Sequence, residues 1–181
     1  MKLEMRALKN IAAAAMTLAV VFDAASLKPV TANAAEASVS ASIEEENSYI
    51  SFQDEAYQNE FLRRVNNERA KAGLKPVQLG DSNHNSAAQE RAEEIATVNS
   101  HVRPNGTKWY TVLSEYGVTD AAAGENAAWG NVSPEEVVNA WMNSEGHRAN
   151  ILDPEARAMG VGYYYNSSST WGHQWIQLFT K

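Results

Sequence analysis

The sequence predicts an α+β domain, with helices first and an antiparallel hairpin last, and three observations predict it. Tyr57, Phe61, Leu62, Val65 and Arg69 recur at mostly three- and four-residue intervals, the spacing of one helix face. Ser133-Pro134-Glu135-Glu136 opens a second apolar run as a helix start: Ser133 caps, Pro134 suits the first helical position, and Glu136 completes a capping box. Towards the C-terminus, Trp175, Gln177 and Phe179 alternate with Ile176 and Leu178, which is the period of a strand.

The first residues are expected to lie outside this domain. Lys2, Arg6 and Lys9 form a basic lead, and Ile11 to Phe22 is an apolar, alanine-rich run. That run is shorter than the roughly 20 residues a membrane span needs. With the small-x-small site Ala32-Asn33-Ala34, residues 1–34 read as a secretory signal peptide cleaved after Ala34. Residues 35–53, rich in Ala, Ser and Glu, read as a flexible acidic linker that cannot bury a core. Residues 54–181 are then the folded domain, long enough for a real core.

Removing residues 1–34 leaves 11 Lys and Arg against 20 Asp and Glu, a net charge of −9. Such a chain is a poor partner for nucleic acid or anionic lipid. No second apolar run follows, so no transmembrane segment is expected in the mature chain, and the expected location is secreted and extracellular. There is no cysteine, so a domain exported to where disulfides form must hold together without them.

The first helix starts near Asp54 and stops at Gly73, before Pro76. Leu74 to Val77 is a short extended connector. Asn83 to Asn99 reads as a second helix, with Ala88, Ala92, Ile95 and Ala96 as a close-packing face. Gln89, Glu90, Glu93 and Glu94 form its wet face, and His84 at its start is expected to be solvated. Pro104-Asn105-Gly106 is a turn. Trp109 to Tyr116 suggests a short helix ending at Gly117. In the helix opened by Ser133, Val137/Trp141 and Val138/Met142 are one turn apart. Met159 to Tyr165 reads as a strand whose glycines admit close backbone approach, Asn166 to Ser169 as a turn, and Trp175 to Phe179 as the second strand. His173, before it, is expected to be exposed.

The chemistry-bearing residues gather in three places. Trp141 to Leu152, WMNSEGHRANIL, sets Glu145, His147, Arg148 and Asn150 between apolar anchors. One reading is a rigid platform for polar side chains. The other is a helix C-terminus, ended by Gly146, with His147 and Arg148 near its negative end. His101 follows the second helix, either as a helix-end cation or as part of a site. Glu125 lies between a glycine and small apolar residues. It is either a solvated loop carboxylate or a buried one that demands a partner, for which His101, His147 and Arg148 are candidates. Gln177 is either a satisfied strand residue or a site lining.

Two imidazoles with one or two carboxylates bind a divalent metal such as zinc if the rings face one point. The His-Glu-x-x-His pattern of zinc proteases is missing. Glu125 and Glu145 would be an acid/base pair for glycoside cleavage. Ser144 near His147 invites a nucleophile reading but lacks the strand-turn-helix elbow.

Taken together, ERAKAGLKPV (68–77), RAEEIA (91–96), SHVRPNG (100–106), GENAAWG (124–130), SPEEVVNAWMNSEGHRANIL (133–152), GVGYYY (160–165) and WIQLF (175–179) resemble the CAP superfamily. Its members are cysteine-rich secretory proteins, venom antigens, plant pathogenesis-related proteins and their bacterial relatives, and the cysteine-free bacterial branch is most similar. The resemblance covers about Asp54 to Lys181. It implies an α-β-α sandwich, with a central antiparallel sheet between helical layers, and a cleft lined by two histidines and two acidic residues. His101, Glu125 and His147 match three of these. At the fourth, Ser144 occupies the position of the eukaryotic glutamate and Glu145 follows it, so the two are rivals; Asn150 and Gln177 are candidate lining from their own positions, not from the resemblance.

The resemblance implies a secreted protein whose His/Glu cleft binds a divalent metal, through His101 and His147, or a small ligand: a lipid, a peptide or a cell-wall fragment. One alternative is a metal-dependent hydrolase or peptidase acting outside the cell. Another is a structural polar network, with function on a different surface.

Overall fold

The computed structural model describes residues 55–181, so the expected signal peptide (1–34) and linker (35–53) lie outside the described residues. In chain order the elements are α1 (Glu55–Lys71), β1 (Gln78–Leu79), α2 (Ser82–Ile95), α3 (Thr111–Glu115) and β2 (Ala122–Trp129). They continue with α4 (Pro134–Met142), α5 (Glu145–Ile151), β3 (Ala158–Asn166) and β4 (Gly172–Thr180).

The four strands form one sheet in the order β1-β3-β4-β2. The long strands pair antiparallel, with Val161 opposite Gln177 and Asn126 on the other side of Gln177. The two-residue β1 pairs parallel to β3 at the far edge, an addition to the expected antiparallel sheet. β2 is the other edge.

Alternation along β4 builds the two halves of the core. Trp175 and Phe179 join Phe61 and Val65 of α1, Val137, Val138 and Trp141 of α4 and Ile151 of α5. Ile176 and Leu178 join Ala87, Ala88, Ala92 and Ile95 of α2 with Val112 and Leu113 of α3. Each face of the sheet is therefore covered by its own helical layer, and the α-β-α sandwich is the observed architecture. The face selected by helical spacing in α1 is the buried one. Its Arg69, 1 % exposed, donates to the carbonyls of Lys75, Ile151 and Asp153 and so fastens the end of α1 to the end of α5.

α2 lies very close to β3. A Cβ on Gly162 would collide with the carbonyl of Ala88, so the strand glycine and the alanine face of the helix depend on each other. Several expectations are corrected here. His84 is buried rather than solvated: its ring lies against Gly80, with Nδ1 2.8 Å from the N-cap carboxylate of Asp81. Gln89 is buried rather than wet, because its side-chain oxygen accepts from the Tyr163 amide of β3. His173 is half-buried rather than exposed, its Nδ1 2.7 Å from the Tyr163 hydroxyl. α2 stops at Ile95, short of Asn99, and the short helix spans Thr111–Glu115 only.

Candidate functional site

Glu125 sits in β2 and is 4 % exposed, so it is not a loop carboxylate. Its side chain points to the α2 layer. There Arg91 donates Nε to Oε2 at 2.8 Å and Nη2 to Oε1 at 3.2 Å, and His101 Nδ1 lies 2.7 Å from Oε1. A buried carboxylate is tolerable only when paired and hydrogen-bonded, and a guanidinium with an imidazole supplies both. Of the candidate partners, His101 is the one observed. Among the described residues, Arg148 and His147 make no hydrogen bond or ion pair with the Glu125 carboxylate, and the main cation is Arg91.

Arg91 was assigned to no site by sequence. The signal was its helical position: three residues after Ala88 and four before Ile95, it belongs on the apolar face, and it is 0 % exposed. Its other hydrogen bonds go to Glu94 Oε2 at 2.6 Å and the Ser100 carbonyl at 3.1 Å.

His101 itself is exposed, with 59 % of its side chain in solvent. Glu125 engages Nδ1, so Nε2 is the ring nitrogen this contact does not use. The hydrogen bond that the ring donates to Glu125 raises the His101 pKa above the ordinary imidazole value, against the opposing effect of burial. His147 moves the other way: burial lowers its pKa, and charge on His101 lowers it further.

His147 belongs to α5, whose start corrects the other expectation for this stretch. α4 ends at Met142, Ser144 is the extended N-cap residue of α5, and Glu145 begins the new helix. Gly146 lies inside it rather than ending one; His147 lies near its start, while Arg148 is in the last turn of this seven-residue helix. Ser144 makes no side-chain capping bond, and Glu145 and Arg148 are exposed. No hydrogen bond joins the Ser144 or Glu145 side chains to His101 or Glu125 among the described residues.

Beneath the rings runs a buried amide ladder. Asn150 Nδ2 donates to the Glu125 carbonyl at 3.1 Å and to Asn126 Oδ1 at 2.8 Å. Asn126 Nδ2 donates to the His147 carbonyl at 3.2 Å and to Gln177 Oε1 at 3.1 Å. Gln177 is 0 % exposed, so it supports the floor rather than lining the surface. Gly124 admits this arrangement, since a Cβ there would lie 2.7 Å from Asn150 Oδ1.

Among the described residues, no group of three or more His, Cys, Asp or Glu could hold a metal ion. Glu125, gripped by Arg91, has little capacity for direct coordination. His101 Nε2 and His147 remain as donors, with Glu125 orienting His101 as carboxylates orient metal-bound imidazoles.

The fold is an α-β-α sandwich domain, and it carries the Arg91–Glu125–His101 cluster at the edge strand of its sheet. Residues 62–179 match the family described as CAP, the Cysteine-rich secretory protein family; the chain belongs to that family. It is 41 % identical to the uncharacterized protein YkwD of Bacillus subtilis strain 168, over 67 % of this chain and 47 % of that one. An extracellular SCP-domain protein from Bacillus anthracis superposes with a TM-score of 0.59 at 25 % identity, over 68 % of this chain and 39 % of the other. The chain thus spans less than half the length of these two relatives. An outer surface protein of Borrelia burgdorferi shares the fold at 20 % identity, with a TM-score of 0.61, over 70 % of this chain and 93 % of its own. No helix among the described residues is long and apolar enough to cross a membrane.

Proposed function

We propose that the protein is an extracellular binding module whose cleft is centred on His101 and His147, and that a divalent metal such as zinc is the ligand this pair suits. The observation that supports it is the 2.7 Å contact of His101 Nδ1 with Glu125. A buried, arginine-clamped carboxylate that fixes an exposed imidazole and leaves its other nitrogen unused is an arrangement for holding something outside the chain. Two imidazoles leave the remaining coordination positions to water or to a polar group of a lipid, peptide or cell-wall fragment. Among the described residues, no group of three or more His, Cys, Asp or Glu is gathered as a catalytic zinc would require.

Calorimetric titration of zinc into the protein, with His101→Ala and His147→Ala alongside, tests this. Saturable binding near one ion per chain, lost in both variants, is expected. Affinity should rise with pH as His101 deprotonates, because a metal takes the neutral ring. Failure of folded wild-type protein to bind zinc would exclude the metal, and wild-type binding in both variants would place it elsewhere.

A further inference from the structure

His101 is carried by the connection between α2 and α3, and that connection is gripped from inside. Arg103, two residues further on, is only 3 % exposed although its neighbours are exposed. Its guanidinium donates Nε and Nη2 to Glu94 Oε1 at 3.0 and 2.8 Å, and Nη1 to Glu115 Oε1 at 2.7 Å and Thr111 Oγ1 at 3.1 Å. Glu94 is the shared member, because its Oε2 also accepts from Arg91 at 2.6 Å. Arg91 in turn holds the Ser100 carbonyl at 3.1 Å and the Glu125 carboxylate. The chain is thus held on both sides of His101, by Arg91 at Ser100 and by Arg103 at itself. Backbone bonds from the Arg103 amide to the Thr107 carbonyl at 2.9 Å and from the Trp109 amide to the His101 carbonyl at 3.1 Å close the connection into a tight hairpin.

We propose that Arg103 and Glu94 are positioning residues for His101: through the Glu125–Arg91–Glu94–Arg103–Glu115 chain of ion pairs they fix the connection so that the ring is in place before any ligand arrives. The proposal rests on the cleft reading above. The physical reason is pre-organisation. An exposed ring on a loose connection would have to be ordered when the ligand binds, and that ordering would be charged against affinity. Burying an arginine with several hydrogen bonds removes the freedom beforehand, and the planar fork suits arginine and not lysine.

The test uses the whole chain with Arg103→Met, Arg103→Lys and Glu115→Gln, and Arg63→Met as a control at an exposed arginine that pairs within its own helix. Zinc affinity, the melting transition and hydrogen exchange of the Trp109 amide are measured for each. Arg103→Met is expected to keep a cooperative melt, to bind zinc about tenfold more weakly, as disturbed supporting residues do, and to exchange the Trp109 amide faster. Arg103→Lys should recover part of both losses, and Arg63→Met should match wild type. A folded Arg103→Met protein with wild-type affinity and wild-type protection at Trp109 overturns the proposal. Should Arg103→Met fail to fold, wild-type values of both quantities in Arg103→Lys and Glu115→Gln overturn it equally. If wild type binds no zinc, the metal reading fails by itself. The nitrogen-bound proton of His101 towards Glu125 then decides: its loss in Arg103→Met supports the positioning role, and its persistence ends it.

Discussion

Glu125 concentrates the largest single-residue energies. Arg91 and Glu125 have side-chain exposures of 0 % and 1 %, so removing either charge costs the other its main partner in a place water does not reach. Glu125→Gln should therefore destabilise the fold by about 3 kcal/mol, with Glu94 limiting the loss by retaining one hydrogen bond to Arg91. The same substitution should lower the His101 pKa towards its ordinary value, because the hydrogen bond that His101 donates to the Glu125 carboxylate is the largest cause of its elevation. Chemical denaturation and a histidine NMR titration check the two halves separately. Loss of stability with an unmoved His101 would mean that the carboxylate serves only the arginine.

Helix α2 and strand β3 show how an element is placed by what is missing from a side chain. Gly162→Ala would drive a Cβ into the Ala88 carbonyl of the helix backbone, which no rotamer change relieves. The expected cost is about 2–3 kcal/mol, read as a lower melting temperature with α2 shifted off the sheet. Helix α4 starts as its sequence says, with Ser133 Oγ accepting from the Glu136 amide at 3.2 Å, and Ser133→Ala should cost about 1 kcal/mol. The reach-back of Glu136 goes to the Val132 amide at 3.0 Å, one residue earlier than a capping box would have it. The elements that were legible, α1, α4 and the β3–β4 hairpin, carry strong periodicity or alternation. β2 was not, since Ala122 to Trp129 holds no β-branched residue and owes its extended form to pairing with β4. In the site, His101 with Glu125 was legible as a pair of polar groups seeking partners. Arg91 and Gln89 were hidden because a charged or amide residue on a helix reads as solvated until its neighbours across the fold are known. The break between α4 and α5 fell at Asn143–Ser144, not at Gly146, because the new helix begins with Ser144 extended and accommodates the glycine in its first turn.

Stability of the whole domain around neutrality should follow its histidines, whose shifts oppose one another. His101 has a raised pKa in the folded protein, while His147 and His173 have lowered ones, both chiefly through burial. Imidazoles of the unfolded chain titrate near 6.5. As pH falls from above the folded His101 value to about 6.5, the native state takes up a proton before the unfolded state does, and stability rises. Below about 6.5 the His101 contribution is complete, but the unfolded chain now protonates His147 and His173 before the native state can, and stability falls until their folded values are passed. The histidines alone therefore place a maximum near pH 6.5. Further acid removes the carboxylate contributions: Glu60, pulled down to about 2 chiefly by its hydrogen bond with Arg63, and Asp81, lowered chiefly by its hydrogen bond with His84, stabilise above about pH 4 and lose that effect as pH falls through their folded values. Urea unfolding across pH 4 to 8 measures this profile. His101→Gln should abolish the rise between pH 8 and 6.5 and, by removing the charge that helps to lower the His147 pKa, soften the fall below 6.5, whereas His147→Gln should flatten that fall further. Parallel curves for wild type and His101→Gln above pH 6.5 would show that the Glu125–His101 contact does not persist in solution.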